Sequence, residues 1–241
     1  MKDISILIPY RPDNGPRDKA FDWVKKFYQE FLPDAELCIG SCKYRMFSRS
    51  QAINDAASKA TRDVFVIVDS DVFFNPKLIE KSVDLLDQHP WVIPFDKVHM
   101  ISEKSTLELY KTKPEVPLKK ELEWTIKSGH HGFNIVPRKY FEKVDGFDGR
   151  FCGWGGDDDA FAYSMNTMCG EYKILNEAIF HLWHPRRSGQ GWHPRNRRKD
   201  EITGDNFDLF KRYKRANGDP RAMQRLIDER KTDQCGQCYE L

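Results

Sequence analysis

Three adjacent carboxylates, Asp157, Asp158 and Asp159, follow Trp154, Gly155 and Gly156 in the string FDGRFCGWGGDDDAF. Like charges this close repel one another, and burying them unpaired is costly. Glycines let a backbone come close to a ligand. Tryptophan offers a flat face to a sugar ring, and a carboxylate can take the proton of a hydroxyl. The combination points to a place where a hydroxyl is oriented and deprotonated. The same acids suit a helix start, because Asp favours N-caps and first turns, and AFAYSM continues with helical residues. The two roles are compatible: a helix N-terminus helps to keep a base ionised.

Asp69-Ser70-Asp71 follows the apolar run FVIV. In extended chain, residues i and i+2 point the same way. Both carboxylates can then face one divalent cation, or one can bind metal while the other holds a ribose. His181 and His184, in HLWH, are candidate partners for the ion. Residues three apart on a strand face opposite sides, so only one of them reaches the ion unless the chain turns there. Imidazole added to carboxylate oxygens moves the preference from magnesium towards manganese or a similar ion. The stretch HPRRSGQGWHPRNRRK, from His184 to Lys199, is rich in Lys and Arg and has no acid. Such a patch suits a phosphate or pyrophosphate partner.

Residues of this kind need a scaffold, and the pattern predicts a parallel one. Ile4–Pro9 reads as a buried strand, Ala20–Leu32 as a helix, and Glu36–Ile39 as a second strand. Ser48–Ala60 reads as a helix and Val64–Val68 as the strongest strand, ending at Asp69. The order β-α-β-α-β implies a parallel sheet with crossover helices, whose ligands bind beyond the carboxyl ends of the strands. Pro9-Tyr10-Arg11 and Asp69-Ser70-Asp71 both sit at such ends. Further on, Pro76–Gln88 reads as a helix and Trp91–Pro94 as a strand. Lys97–Lys127 is mixed and charged, and reads as an insertion or lid. Gly132–Val136 is strand-like, Pro137–Lys143 opens a helix, and Asp157–Met168 is the acidic helix. Lys173–Leu175 and Ala178–Leu182 are strand candidates, and Asn206–Ala216 and Pro220–Lys231 are expected helices.

The chain has 241 residues, 39% apolar, 13% aromatic and 32% charged, with a net charge of +2. That is a globular balance with surplus aromatics, and too little charge for wholesale nucleic-acid binding. No apolar run approaches a membrane span, and MKDISILIPY reads as a strand rather than a signal peptide. These features predict a cytoplasmic protein. The six cysteines (38, 42, 152, 169, 235 and 238) form no secreted-domain framework and are expected to be free thiols, with the role of the final CxxC open.

Taken together, Asp-x-Asp after a third strand, Trp-Gly-Gly followed by acids, and a later His resemble the GT-A glycosyltransferases. The nearest pattern is the β-1,4-galactosyltransferase and polypeptide N-acetylgalactosaminyltransferase group, including the chondroitin-polymerase type. The resemblance runs from about Ile4 to Pro185. It implies an α/β fold of GT-A type, with a mostly parallel nucleotide-binding sheet flanked by helices. Residues 1–200 would form that domain and 201–241 a C-terminal helical extension. By resemblance, Pro9, Tyr10, Arg11, Phe47, Arg49 and Asp69 hold the uridine nucleotide. Asp71 and His184 bind the metal, and His181 falls where galactosyltransferases carry a Met ligand. Trp154, Gly155, Gly156 and Gly132 line the sugar and acceptor site. Asp158 matches the base, and Asp157 stands where a Glu contacts the acceptor. Arg186 and Arg187 follow the metal ligand and could close over the pyrophosphate. The shorter Asp157 implies different acceptor contacts, and beyond His184 the sequence is its own.

The resemblance implies a metal-dependent inverting enzyme that moves a sugar from a UDP-sugar to an acceptor hydroxyl, with Mn2+ or Mg2+ as cofactor. The acceptor would be a glycan or a hydroxymethylated base in DNA, the glycan being favoured by the modest net charge. A retaining glycosyltransferase of the same fold is one alternative. A nucleotidyltransferase is another, although IPYRPDNGPRDK lacks its dense glycine loop. A non-enzymatic nucleic-acid or sugar-binding module would leave Asp-x-Asp and the acidic string unexplained.

Overall fold

The computed structural model describes residues 3–43, 46–114, 122–127, 132–185 and 204–231. β1 (Ile4–Pro9) and β3 (Val64–Val68) are buried at every position, as continuous apolar runs at the centre of a sheet require. α1 (Pro16–Phe31) starts earlier than its apolar spacing predicts, because Pro16 is already shaped for a first helical turn. It buries Phe21, Trp23, Val24, Phe27 and Tyr28. β2 (Glu36–Gly40) leads to α2 (Arg49–Lys59), capped by Ser48, whose hydroxyl accepts from the Gln51 amide.

After β3 the chain turns at once into β4 (Val72–Phe74), then α3 (Lys77–Leu85), β5 (Val92–Ile93), β6 (Lys97–Ile101), α4 (Glu103–Leu109) and β7 (Leu122–Lys127). β8 (Phe133–Pro137), α5 (Arg138–Lys143), α6 (Asp157–Met168), β9 (Lys173–Ile174), β10 (Ala178–His181), α7 (Gly204–Ala216) and α8 (Pro220–Glu229) complete the described elements.

Two sheets result. The larger runs β2-β1-β3-β8-β5-β9, with β1 parallel to both β2 and β3 and β8 antiparallel to β3 and β5. The smaller runs β4-β10-β6-β7. The segment expected to be an insertion therefore supplies two strands and a helix to this second sheet. Phe74 of the small sheet stacks on Phe133 of the large one, with ring centroids 4.4 Å apart, so one apolar core serves both. α7 and α8 pack against α6, and a buried polar cluster ties them to the 144–148 turn. The Tyr213 hydroxyl donates to Asp148 at 2.7 Å, and Arg230 donates to Tyr213 and to the carbonyls of Val144 and Gly146. No helix among the described residues is long and apolar enough to cross a membrane.

Cys38, Cys42 and Cys169 are free. Cys152 is disulfide-bonded, which corrects the expectation of a free thiol there. Pairing depends on proximity through space, which cysteine spacing along a chain does not report. Cys235 and Cys238 lie outside the described residues.

Candidate functional site

The antiparallel pairing of β10 with β4 builds the first half of the site. It sets His181 opposite Val72, and the Leu182 amide donates to the Asp71 carbonyl at 2.9 Å. The strand stops at His181, so the rule that residues three apart diverge no longer applies and both histidines turn to Asp71. Each Nε2 lies 3.4 Å from a different Asp71 oxygen. The three ligand atoms fall within 4.8 Å of one another.

The other imidazole nitrogens are tied to the backbone. His181 Nδ1 is 2.7 Å from the Leu182 carbonyl, and His184 Nδ1 is 3.0 Å from the Pro185 carbonyl. A carbonyl oxygen only accepts, so each Nδ1 donates to the backbone and each Nε2 is the nitrogen turned to Asp71. Burial pushes His184 towards its neutral form, with Arg17 and His181 adding to that and outweighing Asp71. Burial also opposes the charge on Asp71, yet His181, His184 and Arg17, whose Nη1 is 3.6 Å away, hold its carboxyl below the usual range. Two Nε2 atoms converging on one carboxylate are a fitting set for a divalent cation, and two imidazoles with one carboxylate suit a transition ion such as manganese.

The second half is gathered by Arg49, in the first turn of α2. Its Nε donates to Asp69 at 2.6 Å, and its Nη1 to Asp157 at 3.2 Å and Asp158 at 2.9 Å. One guanidinium thus spans the end of β3 and the start of α6. The acids are not N-caps: Gly156 holds that position at a φ of +90°, and Asp157, Asp158 and Asp159 fill the first turn. Burial, then the neighbouring Asp158 charge, pushes Asp157 up to about 6 against the pull of Arg49. Burial raises Asp69 as well; Arg49 opposes this, while Asp158 and Asp71 add to it. Gly132 packs on Asp69: its φ is +79°, and a Cβ there would lie 2.7 Å from Asp69 Oδ2.

The strap from 147 to 156 carries Trp154 and delivers the acids. Ser48, Gln51 and Asn54, one face of α2, bond to the carbonyls of Phe151, Gly149 and Phe147 at 2.6, 2.9 and 2.8 Å. The Gly153 amide donates to the Phe47 carbonyl. From α7, the buried Asn206 accepts from the Cys152 amide and donates to the carbonyls of Cys152 and Gly155. Trp154, 41% exposed, is displayed on this fixed backbone, and Gly155 takes a φ of +92°.

Pro9, Tyr10 and Arg11 leave the end of β1. The Tyr10 hydroxyl donates to Asp18 at 2.6 Å, and Arg11 lies over the Phe47 ring at 5.2 Å. Arg186 and Arg187 fall outside the described residues, as does most of the basic stretch. Reading the sequence alone misses Arg17, Thr106 and Asn206. It also misses the Ser48-Gln51-Asn54 face, for which the spacing of three was an available signal.

The family described as Glycosyl transferase family 2 matches residues 13–145, and that described as the N-terminal domain of galactosyltransferase matches residues 119–185. No curated protein sequence matches the chain. Among solved structures, GalNAc-T7 with UDP, GalNAc and Mn2+ is similar at 12% identity over 95% of this chain and 54% of that chain, with a TM-score of 0.51. The mannosyltransferase PcManGT from Pyrobaculum calidifontis, in complex with GDP-Man and Mn2+, is similar at 14% identity over 93% of this chain and 68% of that chain, with a TM-score of 0.50. The catalytic domain of Drosophila β1,4-galactosyltransferase 7 follows at 16% identity, 88% and 80% coverage and a TM-score of 0.47. Identities this low bear on the fold alone.

Proposed function

The chain belongs to glycosyl transferase family 2 and has the GT-A fold, and from that premise we propose that it transfers a sugar from a UDP-sugar to an acceptor hydroxyl with inversion, using a divalent cation. The observation that carries this reading is the convergence of the His181 and His184 Nε2 atoms on Asp71. Asp71, His181 and His184 would hold Mn2+ or Mg2+; when bound, the ion offsets charge building on the departing diphosphate.

The chain's own groups do the rest. Asp158 takes the proton of the acceptor hydroxyl as that oxygen attacks the anomeric carbon. Arg49, bonded to it at 2.9 Å, holds it aimed. A base acting in one displacement inverts the anomeric centre. Trp154 turns an exposed ring to the sugar, and Asp157 contacts the acceptor beside it. Gly155 and Gly156 let the acceptor approach the backbone, and Gly132 leaves room for Asp69 by the ribose. Pro9, Tyr10, Arg11 and Phe47 receive the base, and Arg186 and Arg187 the diphosphate. Residues 1–200 are assigned to the transferase domain and 201–241 to its helical extension. A glycan is the favoured acceptor, with hydroxymethylated DNA as the second.

The test is a screen of UDP-sugars with Mn2+, following UDP release, with NMR of the product anomer. One accepted donor, activity lost to a chelator and an inverted product are expected. No release with any donor would refute the reading, and a retained anomer would replace inversion by retention.

A further inference from the structure

Helix α4 comes from the segment that looked like an insertion, and its buried face meets the cation site. The Trp183 amide, between the two histidines, donates to Thr106 Oγ1 at 2.9 Å. Tyr110 caps the same helix, four residues on and therefore on the same face. Its hydroxyl is shut off from solvent and has no hydrogen-bond partner among the described residues. Buried hydroxyls left unpaired are uncommon and costly. Burial, then the charge of Asp71, pushes its pKa up to about 12. Other buried polar atoms lack partners too, such as Trp23 Nε1 on α1 and Ser82 Oγ on α3.

We infer that Tyr110 is a further binding residue of the cation site, its hydroxyl donating to an oxygen that arrives with the divalent ion. That oxygen belongs either to a water on the ion or to the nucleoside diphosphate. The inference rests on the cation reading of Asp71, His181 and His184. It explains why α4 is braced against the turn that carries the histidines, and why a hydroxyl, which Phe would spare, is kept in a dry position.

The experiment compares wild type with Tyr110→Phe, by calorimetric titration with Mn2+ alone and with Mn2+ plus UDP, and by melting curves without ligand. Phe keeps the ring and removes only the orphan group. The variant is expected to melt about 2–4 °C higher when empty and to bind about tenfold more weakly when the partner is present. Weakening with Mn2+ alone assigns the water; weakening only with UDP assigns the phosphate. Equal affinities in both titrations, or a lower melting temperature for the empty variant, would overturn the role of Tyr110 while leaving the cation site intact. A wild type that binds no Mn2+ in either titration would overturn the cation site and the inference with it.

Discussion

Asp157→Asn is expected to stabilise the folded protein at neutral pH, by an amount that shrinks as the solution is acidified. Burial and the adjacent Asp158 lift the Asp157 carboxyl from 3.8 to about 6 in the folded state. The folded chain therefore holds this proton more tightly than the unfolded chain. Its contribution to stability is fully present below 3.8 and is lost as pH rises through about 6. The interval corresponds to about 3 kcal/mol, which the folded state forfeits by pH 7.5 in order to keep the acid ionised. Asn cannot ionise and avoids that cost. By linkage the difference between variant and wild type is small at pH 4 and grows to about 3 kcal/mol at pH 7.5. Losing the 3.2 Å contact to Arg49 offsets the whole curve and leaves the trend unchanged. Urea unfolding midpoints of metal-free protein between pH 4 and 8 measure it. A difference that stays flat, or narrows as pH rises, would refute the placement of Asp157 in a buried acidic pair.

Three further outcomes are expected. Asp158→Asn should lower turnover by a factor on the order of 10²–10⁴ while UDP affinity by calorimetry is unchanged; full turnover would remove Asp158 as the base. Gly132→Ala adds a Cβ 2.7 Å from Asp69 Oδ2 at a φ of +79°, and should cost about 1–3 kcal/mol, read as a lower melting temperature and weaker UDP binding. Asn206→Ala removes the bonds to the Cys152 amide and to the Cys152 and Gly155 carbonyls, and should speed hydrogen exchange across residues 152–156 with a loss of about 1–3 kcal/mol.

The centre of the large sheet was legible because β1 and β3 are buried at every position and read as mostly apolar runs, Ile4–Pro9 and Val64–Val68. Asp157–Met168 was equally plain, since two glycines and a run of acids mark a helix start. The second sheet was hidden. β4 is three residues long, and β6 and β7 are only half buried, so neither gives a clean alternation. With it went the pairing that turns His181 and His184 together onto Asp71. Arg49 could be read as a nucleotide contact, but its bonds to Asp69, Asp157 and Asp158 join residues 20 to 109 positions apart, which no local pattern encodes. Asn206 is similar: one polar residue in an amphipathic helix shows nothing of the loop it holds.

The three contacts that α2 makes with the strap have a bearing on how this protein could be re-engineered. Steps of three along the helix meet steps of two along the strap, at Phe151, Gly149 and Phe147. Adding or deleting one residue between 147 and 151 would turn the accepting carbonyls to the other side and swing Trp154 and the acids out of place together. Length variation is thus barred from this stretch, and any redesign of what the enzyme accepts has to proceed by exchanging side chains along it.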